Sequence, residues 1–322
     1  MSHTLIAADR EEREQSGLTP PSASGAGRTA DDKPGAEAAA TRSRDLVNLL
    51  GALPFFLFVA VFLVVPVVVT VVKAFMTDDG AFTLDNFALL SEPQYVGAFV
   101  NSVNLSLVTS IVGGVLGLIL GWALTSASKP AWLHRAVTSL AAVASQMGGP
   151  PLAYMFLAFM GAQGLLTIWL QDLLGFSLNE AIPAGSFWGI VVAYLYFQIP
   201  LMAVLSLSAL QGIRREWHDS GVSLGASRAR ILFTVTLPIL SPSLIGGLLL
   251  LFANAFSGYA AAYALAGSGA NLVPILIGFF LSGNVLVNQG LASALVTGMV
   301  VIMLIAMGLR GLLLRRAVRW QQ

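Results

Sequence analysis

The sequence predicts an all-α, polytopic membrane protein with six transmembrane helices, and three observations carry that expectation. Of 322 residues, 56% are hydrophobic and only 10% are charged, and the mean hydropathy is +0.79, too apolar for a water-soluble domain. Six uncharged runs are each long enough to cross ~30 Å of hydrocarbon, which takes about 20 helical residues. Lysine and arginine also recur in alternate connections, as the positive-inside bias of membrane proteins requires.

Residues 1–44 hold 13 of the 33 charged side chains, with Pro20, Pro21 and Pro34 and no apolar period. Such a composition buries too little surface to offset ordering entropy, so a disordered cytoplasmic tail is expected ahead of a transmembrane domain over 45–322. The tail lacks the apolar core of a cleavable leader, and the first apolar run is expected to stay as a permanent span. The six runs fall at 46–72, 96–124, 136–160, 187–207, 239–265 and 291–309. Two shorter pieces, 165–174 and 272–281, are broken by Gly, Pro or Asp and read as interfacial or re-entrant segments.

The basic residues test this count independently. Six lie in the tail, Lys129 and Arg135 follow the second run, and Arg214, Arg215, Arg228 and Arg230 follow the fourth. Arg310, Arg315, Arg316 and Arg319 follow the last, so six spans place 16 of the 17 on one side and only Lys73 on the other. Both termini are therefore expected in the cytoplasm.

Within the second run, Gly113, Gly117 and Gly121 recur every four residues and line one helix face, a seam that lets a neighbouring backbone approach closely. In the third, Met147-Gly-Gly-Pro-Pro151 removes two amide donors and should kink or break the helix. Carbonyls freed at membrane depth need protein or water, so this break either lines a path or only shapes packing. Tyr194 and Gln198 share a face of the fourth run, and Asn254, Ser257 and Gly258 share a face of the fifth, close to Tyr259. These uncharged polar groups either hydrogen-bond between helices or line a translocation path.

Catalytic patterns are missing from the sequence. No lysine follows a glycine, which excludes the phosphate-cradling G-x-x-x-x-G-K-[ST] loop. His3, His134 and His218 are scattered, and there is no cysteine, so no metal site or catalytic residue is assigned. No cofactor is expected, and any ATP hydrolysis belongs to another chain.

The most polar stretch after the tail is the connection 211–238, which contains Asp219-Ser-Gly221, then three residues, Gly225, nine residues, and Val235-Thr-Leu237-Pro238. It resembles the signature loop of binding-protein-dependent ABC importer permeases, in which Glu-Ala-Ala, three residues, Gly, nine residues and Ile-x-Leu-Pro follow in that order. Both spacings are kept. Asp219, Ser220 and Gly221 stand in for the Glu-Ala-Ala and remain acidic, small and small, although Gly costs about 1 kcal/mol against Ala within a helix. Residues 216–224 can form a short helix, Gly225 can end it in the left-handed conformation, and Ser227 can cap the next helix.

The resemblance implies a MetI-like permease fold in a bacterial plasma membrane and a loop, carried by Asp219, Ser220, Gly221, Gly225, Val235, Leu237 and Pro238, that couples to an ATPase. It implies as partners two ATP-binding cassette subunits, a second permease subunit, homologous or identical, and an extracytoplasmic solute-binding protein, with membrane lipid around the helices and no nucleic acid. The stretches 252–260 and 271–278 are similar to permeases for spermidine and putrescine. Expected outer loops hold Asp78, Asp79, Asp85, Glu92, Asp172 and Glu180 against Lys73, a net charge of −5 that would attract a polycation. A sugar or another small solute is the main alternative. A secondary carrier or channel is disfavoured because no ionisable residue lies within a run, where ion-coupled carriers display one.

Overall fold

A computed structural model describes residues 53–77, 79–126, 131–213, 215–282 and 288–318. The expected tail, 1–44, lies outside these residues, as do Lys129 and Arg214. Chain contacts divide the protein into two units, 1–63 and 64–322; in the first, the described residues 53–63 are helical.

Among the described residues the secondary structure is helical, with one isolated bridge between Met76 and Phe82. The run Leu53–Ala74 is α1 and contains a π turn at Ala60–Val64. Pro66 follows that turn closely; a proline cannot donate to the carbonyl four residues back and its ring crowds it, so one wider turn relieves the conflict. The end of α1 is closed by buried Asn86 in α2 (Asp85–Leu89), whose Nδ2 donates to Ala74 O and Met76 O, both at 3.0 Å.

The long helix α3 (Pro93–Ser126) packs most extensively against α8 (Phe187–Gln211). The glycine seam is where they meet. A Cβ on Gly113 would lie 3.0 Å from Gln198 Cβ, one on Gly117 2.6 Å from Ile199 O, and one on Gly121 would collide with Ser206 Oγ. Any side chain on the seam would force the helices apart.

Among the described residues, six apolar helical stretches are long enough to cross a membrane, at Leu53–Ala74, Pro93–Thr125, Pro150–Leu174, Phe187–Gln211, Leu232–Phe256 and Gln289–Leu309. The expected count stands, but the third stretch is displaced. Of the two outcomes expected at 147–151, a kink or a break, the chain takes the break: α4 (Ala131–Gln146) stops and α5 (Pro150–Met160) starts afresh after Gly149, which takes φ +72°, so the single span over 136–160 is not formed. Two prolines at the first helical positions start a helix more readily than they bend one, because the missing N–H groups would be unpaired there anyway. A tight turn at 161–164 then leads from α5 to α6 (Leu165–Leu174), the piece read from the sequence as too short to span.

After the short α7 (Leu178–Ala181), α8 runs through Pro200 to the polar connection, which holds α9 (Arg215–Ser223) and α10 (Arg228–Ile231). The fifth run also differs from expectation. It is α11 (Leu237–Phe256), a break at 257–259, and then α12 (Ala260–Ala266), where one span over 239–265 was expected. The Ser257 N–H still makes the ordinary helical bond to Ala253 O at 3.1 Å, with Ser257 Oγ on the same oxygen at 2.9 Å; the Gly258 N–H then reaches only three residues back, to Ala255 O at 3.1 Å, and the helix ends. The chain finishes with α13 (Val273–Ser282) and α14 (Gln289–Val318), the latter packed on α11 and α13. The principal core gathers Leu105, Leu152, Ile190, Tyr194, Ala255 and Ala262 from five helices.

Candidate functional site

Two places combine exposed polar groups with unusual backbone: the connection around Gly225 and a cavity at the two helix breaks. In the connection, α9 ends in a complete Schellman closure. The Ala226 N–H reaches back to Gly221 O at 3.0 Å, the Gly225 N–H bonds Val222 O at 2.9 Å, and Gly225 has φ +76°. Within two residues the chain is recapped, because Ser227 Oγ accepts the Arg230 N–H at 3.3 Å and opens α10. The expected geometry of helix, left-handed glycine and serine cap is therefore present.

Gly221 has a second role that spacing did not disclose. A Cβ there would lie 2.9 Å from Ile231 Cγ1 and 3.0 Å from its Cδ1, and Ile231 is the buried anchor of α10. The glycine thus lets α9 lie directly on α10. Outward, the same short helix shows Asp219, Ser220 and Trp217, and the closing Leu224 is 87% exposed. Beyond α10, Val235 lies in a π turn at Leu232–Thr236, closed by the Leu237 N–H on Leu232 O. Pro238, which cannot make the ordinary bond to Thr234 O, follows at once, as Pro66 does in α1.

The cavity has a volume of about 450 Å³ and brings together both helix breaks. Its walls are Ser145 and Gln146 at the end of α4, Gly148 and Gly149 in the first break, Asn254 at the end of α11, Ser257, Gly258 and Tyr259 in the second break, and Tyr194 and Phe197 from α8. Four of the five residues expected to line a path, Tyr194, Asn254, Ser257 and Tyr259, are thus in one cavity. Tyr194 forms wall without offering a free group: it is 1% exposed and its hydroxyl donates to Gly258 O at 2.6 Å. Tyr259 is partly open and stacks on Tyr263 with ring centroids 5.3 Å apart.

Gln198 does not join them. It is fully buried between α8 and α3, where its Nε2 donates to Thr109 Oγ1 at 3.1 Å, so it acts as a helix-to-helix contact. One turn along the helix from Tyr194, its side chain meets the Gly113 seam instead of the cavity. Sequence reasoning missed Ser145 and Gln146. The signal available was their position just before Met147-Gly-Gly, since a helix end that precedes a break opens onto whatever the break faces.

Residues 113–319 match the family described as "Binding-protein-dependent transport system inner membrane component", and the chain belongs to that family. With six apolar helices long enough to cross a membrane among its described residues, it is a multi-pass membrane protein. It is similar to the sulfate transport system permease protein CysT of Escherichia coli (strain K12), 29% identical over 182 residues, covering 56% of this chain and 62% of that protein. The chain thus spans about three fifths of the length of the sulfate permeases it matches. It is also similar to the spermidine/putrescine transport system permease protein PotB of Salmonella typhimurium (strain SL1344), 24% identical over 214 residues, covering 64% of this chain and 70% of that one. A solved bacterial ABC transporter involved in import of the acidic polysaccharide alginate shares the fold, with a TM-score of 0.70 at 17% identity, covering 89% of this chain and all of the other.

Proposed function

We propose that this chain is the permease subunit of an ATP-binding-cassette importer that carries a small solute across a bacterial plasma membrane. The observation that supports it most directly is the exposed helix α9, closed at Gly225 and seated on α10 through Gly221, within a loop that keeps both signature spacings. A short helix closed at its C-terminal end and seated on its neighbour behaves as a lever. Asp219, Ser220 and Gly221 form its partner-facing and packing surfaces, Gly225 sets its end, and Val235, Leu237 and Pro238 join it to α11. Two ATPase subunits grip the lever, a second permease chain completes the path, and an extracytoplasmic binding protein delivers the solute. In this reading both termini lie in the cytoplasm, which the distribution of basic residues supports.

For the solute, the reading we favour is a polyamine such as spermidine or putrescine. It is supported by the likeness of 252–260 and 271–278 to polyamine permeases and by the net negative charge of the expected outer loops. The proposal is tested by purifying the tagged chain from its native membrane. A copurifying ATPase, lost when Asp219→Lys reverses the charge on α9, is the expected result; a chain that transports alone overturns it in favour of a secondary carrier.

A further inference from the structure

The chain just past α1 is built rigidly. Met76 and Phe82 pair in an antiparallel bridge, and the turn between them is tied by the Thr77 N–H on Ala81 O at 2.8 Å and the Ala81 N–H on Thr77 Oγ1 at 3.1 Å. At its base the Thr83 N–H bonds Phe75 O at 2.9 Å. The Phe75 ring stacks on that of Phe82, with centroids 6.1 Å apart, and packs on Phe87 of α2 at 4.7 Å. Asn86, which holds Ala74 O and Met76 O, is itself seated on Gly290 at the start of α14, where a Cβ would collide with the amide.

This hairpin nevertheless turns its apolar side chains outward. Phe82 is 76% exposed, Leu84 58% and Met76 39%. The bridge puts Met76 and Phe82 on one face, because residues directly opposite in an antiparallel pair project together. Apolar groups held rigidly in the open mark a surface that meets an apolar partner.

Depth decides which partner. The 22 residues of α1 rise about 33 Å, just enough to cross ~30 Å of hydrocarbon. Ala74 therefore stands at the hydrocarbon edge. The exposed Lys73 beside it marks the same level, since its ammonium group has to reach water or headgroup phosphate. Met76 is two residues further, ~7 Å at most, and the headgroup layer on each face is about 5–7 Å deep. Phe82, opposite Met76, lies in that layer too, which leaves Asp79 and Gly80 at the tip for water.

We infer that Met76, Phe82 and Leu84 form an interfacial anchor, inserted among the phospholipid headgroups at the end of α1 and holding that end at a fixed depth. The inference rests on the membrane span and is independent of the solute.

The chain has no cysteine, so single nitroxide labels can be placed at Phe82→Cys, Leu84→Cys and Asp79→Cys without background. The full chain is purified and reconstituted into vesicles of phosphatidylethanolamine and phosphatidylglycerol. Collision with oxygen, which concentrates in the bilayer, should exceed collision with a water-soluble nickel chelate at 82 and 84, and the order should reverse at 79. Leu84→Cys leaves the Phe75–Phe82 stack whole, so the depth is read even if Phe82→Cys fails to fold. Read through the label at 84, Phe82→Ser should shift the site toward the nickel chelate, and Phe82→Trp should leave it in place. Nickel dominance at 84 overturns the anchor and leaves the patch to a soluble partner. Low collision with both reagents there means that protein covers the patch, and also overturns it. An unmoved label at 84 in Phe82→Ser overturns the part assigned to Phe82.

Discussion

The Tyr194 hydroxyl donates to the carbonyl oxygen of Gly258 at 2.6 Å and ties the middle of α8 to the break between α11 and α12, 64 residues away in sequence. A Cβ on Gly258 would lie 2.5 Å from the same hydroxyl oxygen, so bond and glycine require each other. Tyr194→Phe leaves the Gly258 carbonyl without its partner and should cost about 1–2 kcal/mol. Gly258→Ala should cost more alone than in the Tyr194→Phe background, where the colliding oxygen is gone. Thermal unfolding of the four purified proteins in detergent measures this coupling, and additive losses would show that the two residues act separately.

Gly221 and Ile231 make a second testable pair. Helix propensity alone predicts that Gly221→Ala stabilises α9 by about 1 kcal/mol. The contact at 2.9 Å to the branched Ile231 side chain predicts the reverse, a loss that Ile231→Ala in the same chain partly removes. Protease sensitivity of the connection in solubilised protein reads the difference. Greater resistance in Gly221→Ala would mean the contact relaxes without cost.

At Gly225 the backbone itself is the constraint. With φ +76°, valine there should cost about 1–2 kcal/mol locally. That is too little to unfold six membrane helices and enough to misplace α9. Gly225→Val should therefore insert normally yet lose copurifying ATPase or transport-coupled ATP hydrolysis, whereas Arg319→Ala, outside the motif, should change neither. Nothing stands within 4 Å of a Cβ at Gly225, so the effect is conformational and Gly225→Asn should retain more function than Gly225→Val.

Topology can be tested without purification. Reporter fusions at Asp85 and Gly175 should report outside, and fusions at Arg228 and Gln322 inside, because 16 of 17 basic residues fall on one side of a six-span chain. An outside signal at Arg228 would remove α9 from the reach of any cytoplasmic ATPase and with it the proposed function.

Features that depend on composition and local backbone chemistry can be read from the residues alone. Uncharged length predicted six spans, the glycine period predicted a close-packing seam on α3 without naming its partner, and the Gly225 spacing predicted a left-handed helix end with Ser227 capping the next helix. Each of these is legible because the physical cause lies within a few residues of its effect. Tertiary structure decided the rest. Met147-Gly-Gly-Pro-Pro151 marks a break locally, but which element that break faces is set by α12 packing against α5, more than 100 residues away. Whether Tyr194 and Gln198, one helical turn apart, face one cavity depends on which neighbour each meets: Tyr194 meets Gly258, and Gln198 meets Thr109. A polar side chain in an apolar run announces that it needs a partner; only packing at long sequence separation determines which partner it finds.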